Sequence, residues 1–232
     1  MSELAELIAA RVSVAKERIA KAGGDPGSVK IVAVTKGFGP AQVAAAFEAG
    51  IRDFGENYAD ELVEKWPSAP PPARWHFLGT VQRNKIRRLA PYVDCWQAVA
   101  RVLEGETILR HREEPAPGRG GGVLAPASML VEVETTGLSG RGGCPPADVE
   151  AVVGGLLDRG CQVDGLMTVA APDDPAGAGA AFQLVARLAR QLGLAELSMG
   201  MSEDLEQAVA AGATMVRLGT CLFGPRPQRR RL

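Results

Sequence analysis

The chain has 232 residues, 46% of them hydrophobic and 23% charged, with a formal net charge of -1. That is enough to bury a sizeable core, as one large α/β domain or two small ones, and the near-neutral balance leaves no electrostatic footprint for nucleic acid. No apolar run is long enough to cross a bilayer, and the four scattered cysteines (Cys95, Cys144, Cys161, Cys221) form neither a C-x-x-C metal pair nor a disulfide framework, which points to the cytoplasm.

Residues 2–22 set charges among apolar residues, the pattern of an amphipathic helix and not of a secretory signal. This helix precedes the first strand and packs on the outside of the fold or closes its floor. A strand is expected over IVAVTK (31–36), then a turn at residues 37–40 and a helix over 42–50. The same alternation continues with strands at 52–56, 75–79, 93–99, 128–134, 162–169, 196–200 and 214–219. Helical spacing falls between them at 57–66, 81–90, 101–112, 146–160, 180–193 and 202–212. Eight strands alternating with helices predict a closed (β/α)8 barrel, with a doubly wound open sheet as the alternative.

The Pro/Gly-rich breaks sort by end of the barrel. Residues 115–127 lie between a helix and the next strand, on the floor, and read as a flexible surface insertion. Residues 135–146 and 170–179 follow strands, on the face where barrels carry their chemistry, and are the lid candidates. Residues 226–232 read as a solvated basic tail, and the basic helix bearing Arg83, Lys85, Arg87 and Arg88 as a solvated face.

Alternation along the first strand sets Lys36 on one face with Val32 and Val34. A lysine among apolar neighbours loses the stabilisation of its charge, and its neutral amine is a nucleophile for carbonyl groups; a solvated loop lysine is the other reading. In the last strand Arg217 shares a face with Met215 and Gly219, and an arginine inside an apolar strand needs an acceptor or an anionic partner. If the barrel closes, the first and last strands are neighbours and Lys36 and Arg217 project towards one cavity.

Gly219 and Thr220 open the final turn, where glycine permits close backbone approach and a hydroxyl donates, as in a barrel's phosphate site. The preceding loop adds Gly200 and Ser202, the latter either a phosphate ligand or a helix cap, while Glu203 and Asp204 behind it would repel a phosphate. Asn57 either hydrogen-bonds a ligand hydroxyl or caps the helix that follows. His76 reads as a core histidine, and His111 lies on the far side.

IVAVTK, FGENY, WHFLGTVQRNK, GLMTV, LSMGMSEDLEQAVAAGATMVRLGT and the closing FG resemble, nearly end to end, the pyridoxal 5'-phosphate homeostasis proteins. The resemblance implies a barrel like the N-terminal domain of alanine racemase, spanning residues 1–232 as one domain, with pyridoxal 5'-phosphate held as an aldimine on Lys36. It also implies Arg217 facing the pyridine nitrogen, with Asn57, Met201, Ser202, Gly219 and Thr220 as further cofactor contacts. Arg141 stands where the family often has a lysine, and the two are not interchangeable in imine chemistry. An arginine at the ring nitrogen disfavours its protonation and weakens the ring as an electron sink. Residues 220–232 leave no room for the second domain that racemases use. The expectation is therefore a monomeric cofactor-holding protein in vitamin B6 homeostasis, without turnover of its own and with apo-enzymes as recipients. A small pyridoxal-phosphate-dependent amino-acid racemase is the alternative.

Overall fold

A computed structural model describes residues 1–112, 124–171 and 174–226. The surface-insertion reading of residues 115–123 and the basic-tail reading of 227–232 lie outside the described residues. Eight strands, β1 (Lys30–Val34), β2 (Asp53–Glu56), β3 (Arg74–Phe77), β4 (Cys95–Val99), β5 (Ser128–Glu132), β6 (Val163–Met167), β7 (Glu196–Ser198) and β8 (Met215–Leu218), close into a barrel in chain order. Each pairs parallel with its neighbours, and the seam between first and last sets Val32 against Arg217 and Ala33 against Leu218. The closed barrel excludes the open-sheet alternative.

The helices are α1 (Glu3–Lys21), α2 (Pro40–Glu48), α3 (Ala59–Lys65), α4 (Arg83–Leu89), α5 (Val102–Arg112), α6 (Val149–Leu157), α7 (Pro175–Gln191), α8 (Leu205–Ala210) and α9 (Thr220–Phe223). Most boundaries shift by one to three residues from the sequence expectation, and three differences bear on the site. The first strand stops at Val34, because Thr35, Lys36, Gly37 and Phe38 form a turn closed by the Phe38 N–H on the Thr35 carbonyl, 3.0 Å. The seventh helix starts at Pro175 and not at residue 180: Asp174 caps it by accepting from the Gly177 N–H, and proline is tolerated in a first turn whose N–H groups lack partners anyway. Half of the second lid candidate is therefore helix, and its residues 172–173 lie outside the described residues. The final turn winds into α9, bounded by Gly219 and by Gly224 at φ 84°.

The N-terminal helix takes the outer position, not the floor. Ala5, Ile8, Ala15 and Ile19 recur at helical spacing, are buried, and pack it against α2, α8 and α9. Two arginines on it reach the top of the barrel seam. Arg11 Nη1 donates to the Leu222 carbonyl, 2.9 Å, and Arg18 Nη2 to the Ser202 carbonyl, 2.9 Å, while Arg18 also pairs with Glu206, 2.6 Å. So α1 braces the two segments that carry Ser202 and Thr220.

Residues alternate across the barrel wall as the pleat requires. Phe54 and Trp75 stack at 5.3 Å on its outer side. The inner side carries a polar chain. Asp53 Oδ1 lies 2.9 Å from His76 Nε2, His76 Nδ1 lies 2.8 Å from Gln97 Nε2, and the Ser198 hydroxyl donates to Gln97 Oε1, 2.6 Å. His76 is thus the core histidine expected, fully buried and bonded on both ring nitrogens. This chain ends at Arg217.

Candidate functional site

A cavity of about 590 Å³ opens at the C-terminal ends of the strands, where a parallel barrel places its chemistry. Lys36, Asn57 and Arg217 line it, and so do Met201, Ser202, Gly219 and Thr220. All seven residues singled out from the sequence meet there, although they come from four separate segments of the chain.

Lys36 is not on the strand. It sits at the second corner position of the turn that follows β1, and Gly37 takes the third at φ 79°, a conformation open to glycine and strained for other residues. The turn directs Lys36 over the cavity, half-buried. Burial, then the charges of Arg226 and Arg217, push its pKa below the ordinary lysine value, with Glu56 opposing. Both expected ingredients of a nucleophilic amine, an apolar wall and a second cation, are present.

Arg217 is 5% exposed and held from two strands. Its Nη1 donates to the carbonyl and hydroxyl oxygens of Ser198, 2.7 and 2.9 Å, and its Nη2 to the Thr168 carbonyl, 2.8 Å. Among the described residues no carboxylate forms an ion pair with it, so the reading of Arg217 as half of a core salt bridge does not hold. Burial lowers its pKa to about 10 against the pull of Asp204 and Glu132, which still leaves it charged at neutral pH.

At the seam the Thr220 and Ser202 hydroxyls lie 3.2 Å apart. Gly219 brings the chain close to β1: a Cβ there would stand 3.4 Å from the Val34 carbonyl oxygen. Ser202 is not a helix cap, because α8 begins at Leu205 and its N-cap position is Asp204. The Asp204 carboxylate accepts instead from the Met201 N–H, 2.5 Å, which shapes the loop beneath Ser202. Asn57 is not a cap either. Tyr58 occupies that position of α3, and Asn57 Oδ1 is buried with no hydrogen-bond partner among the described residues. A buried acceptor left unsatisfied costs about 1–3 kcal/mol, and this one belongs to a cavity-lining residue.

Several cavity residues escaped the sequence reading. Glu132 ends β5, and burial raises its pKa against the opposing Arg217. Glu134 organises the first lid candidate by accepting from the N–H groups of Thr136 and Gly137, 2.7 and 3.1 Å. Thr136 and Gly140 of that segment form cavity wall, next to the Arg141 that the sequence had singled out. Arg226 lines the cavity as well, with its Cδ 3.6 Å from where a Cβ on Gly37 would be. Charge alternating with valine at a strand end gave no sign of Glu132 or Glu134, and Arg226 was absorbed into the basic tail. Lys85 stands apart on α4, exposed.

The sequence matches the family model described as alanine racemase, N-terminal domain, over residues 6–227. It is 37% identical over 231 residues to the pyridoxal phosphate homeostasis protein of Pseudomonas aeruginosa, covering 97% of each chain. To the protein of the same name from Deinococcus radiodurans it is 39% identical over 215 residues, 90% of this chain and 95% of the relative. Among solved structures, PipY of Synechococcus elongatus with pyridoxal phosphate bound superposes with a TM-score of 0.73 at 34% identity, over 90% of this chain and 100% of that one. Alanine racemase of Bartonella henselae, 12% identical, matches 98% of this chain and 61% of its own with a TM-score of 0.71, a likeness of fold alone.

Proposed function

The chain belongs to the alanine racemase N-terminal-domain family, and within it to the pyridoxal phosphate homeostasis proteins; from that premise we propose that it binds pyridoxal 5'-phosphate covalently through Lys36 and serves vitamin B6 homeostasis as a holder of the cofactor. The observation that carries this reading is the pairing of Lys36 with Arg217 across the barrel seam, two cations over one cavity. The cofactor supplies an electrophilic aldehyde, a pyridine ring and a phosphate.

The residues present suit each part. Lys36, with its pKa depressed, yields the nucleophilic neutral amine more readily than an ordinary lysine does. The Ser202 and Thr220 hydroxyls and the close backbone at Gly219 form a small polar cradle for phosphate oxygens. Asn57 Oδ1 supplies an acceptor that lacks a donor. Arg217, charged and immobilised by three bonds, disfavours a proton on a ring nitrogen placed beside it. Such a ring is a poor sink for the electrons of carbanion chemistry, which supports holding over turnover. In this reading the protein acts as a monomer in the cytoplasm and passes its cofactor to apo-enzymes.

Purified protein decides the matter. A visible absorption band bleached by borohydride, with pyridoxyl mass left on the peptide containing Lys36, is the expected result. Colourless protein with that peptide unmodified overturns the assignment. Loaded protein incubated with chiral amino acids should leave optical rotation unchanged, and turnover at an ordinary enzymatic rate of about 1 per second or more contradicts the holder reading. Transfer to an apo-enzyme, compared with free cofactor at equal concentration, tests delivery.

A further inference from the structure

Behind the cavity wall, between β2 and α3, lies an ion cluster that none of the cofactor-holding residues belongs to. Gly55 faces the barrel interior, where an added Cβ would strike Val32 and Leu78, so Glu56 next to it points outward to α3. There it meets Lys65. The Lys65 ammonium has three N–H donors and contacts three acceptors: Glu56 Oε1 at 2.6 Å, Glu61 Oε2 at 2.6 Å and the Thr35 carbonyl oxygen at 2.8 Å. The side chains of Lys65 and Glu56 are 2% and 0% exposed.

The same two carboxylates then grip the backbone of the site. Glu61 Oε2 accepts from the Gly37 N–H, 2.9 Å. Glu56 Oε1 accepts from the Thr35 hydroxyl, 2.7 Å, and its Oε2 from the Asn57 N–H, 3.1 Å. The peptide groups on both sides of Lys36, and the one that leads into Asn57, are therefore tied to one buried cluster. Stability does not explain it. Desolvating each ion costs several kcal/mol, and well-packed apolar residues of similar volume often serve a fold as well or better. What an apolar cluster cannot supply is direction.

We propose that Lys65 is a positioning residue for Lys36: acting through Glu56 and Glu61, it fixes the turn of residues 35–38 and the start of the Asn57 loop, so that the amine and the Asn57 amide face the cavity in one arrangement. The inference rests on the proposed function only for what Lys36 holds. The clamp itself is a property of the polypeptide.

Its test begins without cofactor. In Lys65→Met, amide hydrogen exchange at Gly37 and Asn57 should accelerate by about tenfold or more while amides of β5 and β6 across the barrel keep their protection. Wild-type exchange at those two positions, or equal acceleration throughout the barrel, overturns the proposal. Because Lys65→Met leaves the buried Glu56 and the partly buried Glu61 carboxylates without their shared cation and is able to unfold the chain, Glu61→Ala forms an independent arm. It removes the acceptor of the Gly37 N–H and leaves the Lys65 to Glu56 pair, so Gly37 should exchange faster and Asn57 unchanged. Undisturbed exchange at Gly37 overturns the clamp.

A second readout separates positioning from general weakening. Pyridoxamine 5'-phosphate carries the ring and phosphate but no aldehyde. Glu61→Ala, which frees the Gly37 peptide and leaves Asn57 in place, should bind it as wild type does, and lose about tenfold in affinity for pyridoxal 5'-phosphate, roughly 1.4 kcal/mol. Equal losses for both ligands overturn the positioning role. Wild-type protein that forms no adduct with the aldehyde defeats the proposed function instead, and leaves the exchange result standing.

Discussion

Arg217 gives two hydrogen bonds to one residue of the neighbouring strand: its Nη1 lies 2.7 Å from the carbonyl oxygen of Ser198 and 2.9 Å from its hydroxyl. Ser198 passes the contact on to Gln97 and His76, so the guanidinium is the upper end of a polar chain through the barrel. Arg217→Met removes the donor to the Thr168 carbonyl and to the Ser198 hydroxyl, while the Ser198 carbonyl keeps the Thr168 N–H at 3.2 Å, and should cost about 2 kcal/mol, read from urea denaturation. Arg217→Glu sets a carboxylate against those same carbonyls and should destabilise further. Where it still folds and binds cofactor, the visible band should move, since a carboxylate beside the ring nitrogen favours its protonation. A band at the wild-type wavelength would count against the Arg217 assignment.

Lys36 carries a cost in stability that its removal should reveal. Its folded pKa lies below the unfolded value because burial, Arg226 and Arg217 disfavour the charge. Below the unfolded value the unfolded chain holds this proton more tightly than the folded one, so the group destabilises the fold at neutral pH. The penalty fades as pH rises towards the ordinary lysine value of about 10.4. Lys36→Met should therefore stabilise the protein at neutral pH, by an amount that shrinks at alkaline pH, and should abolish the covalent visible band at any pH. A variant with wild-type or lower stability at neutral pH contradicts the depressed pKa. Arg226→Ala should raise the Lys36 pKa and slow adduct formation at neutral pH; an unchanged rate would remove Arg226 from the site.

The barrel was legible because its strands are short apolar runs at helix-length intervals, and that pattern survives errors at the boundaries. Lys36 was legible as chemistry but misplaced by the strand. Period-two alternation does not say where a strand stops, and the stop here depends on Gly37 and on one acceptor, Glu61, and one donor, Lys65, from α3, thirty residues or fewer away in sequence but known only from the packing. Lys65 was illegible for the same reason. In NYADELVEKW it has the spacing of any solvated lysine, and only the turn of α3 against β2 buries it. Pro175 misled in the other direction, since the glycines after it looked like loop while Asp174 and Pro175 are a helix start.

His76 should titrate far from an ordinary histidine. Burial opposes its charge, but Cys95 and Asp53 outweigh burial and raise its pKa to about 9, and charging the ring requires the Gln97 amide, whose Nε2 faces His76 Nδ1 at 2.8 Å, to turn its oxygen to the ring. A folded value above the unfolded value of about 6.5 means the stabilisation is complete below that lower value and is lost as pH climbs through about 9. The chain has 2 histidines, so an imidazole NMR titration resolves His76 from His111 without ambiguity of number. Asp53→Asn should bring the His76 midpoint down and cost about 2 kcal/mol at neutral pH, with the difference from wild type narrowing in alkali. A midpoint that stays in place would show that Asp53 is not what sustains the charge.

Two glycines beside the cavity should differ in how they answer alanine. A Cβ on Gly79 would lie 2.1 Å from the Asn57 carbonyl oxygen and 3.0 Å from its carbon, both backbone atoms that move only if the loop after β2 moves. On Gly55 it would meet Leu78 Cδ1 at 2.6 Å and Val32 Cγ1 at 3.0 Å, side-chain atoms, the nearer at the tip of a leucine able to rotate away. Overpacking costs about 1–3 kcal/mol, and Gly79→Ala belongs at the upper end while Gly55→Ala belongs at the lower. Because the displaced peptide is that of Asn57, Gly79→Ala should also weaken binding of pyridoxamine 5'-phosphate by about tenfold, where Gly55→Ala leaves Asn57 in place. Calorimetric melting of the two variants and titration with the amine ligand give both orders. A Gly55→Ala protein less stable than Gly79→Ala would mean that the leucine tip is fixed and the Asn57 loop is the part that yields.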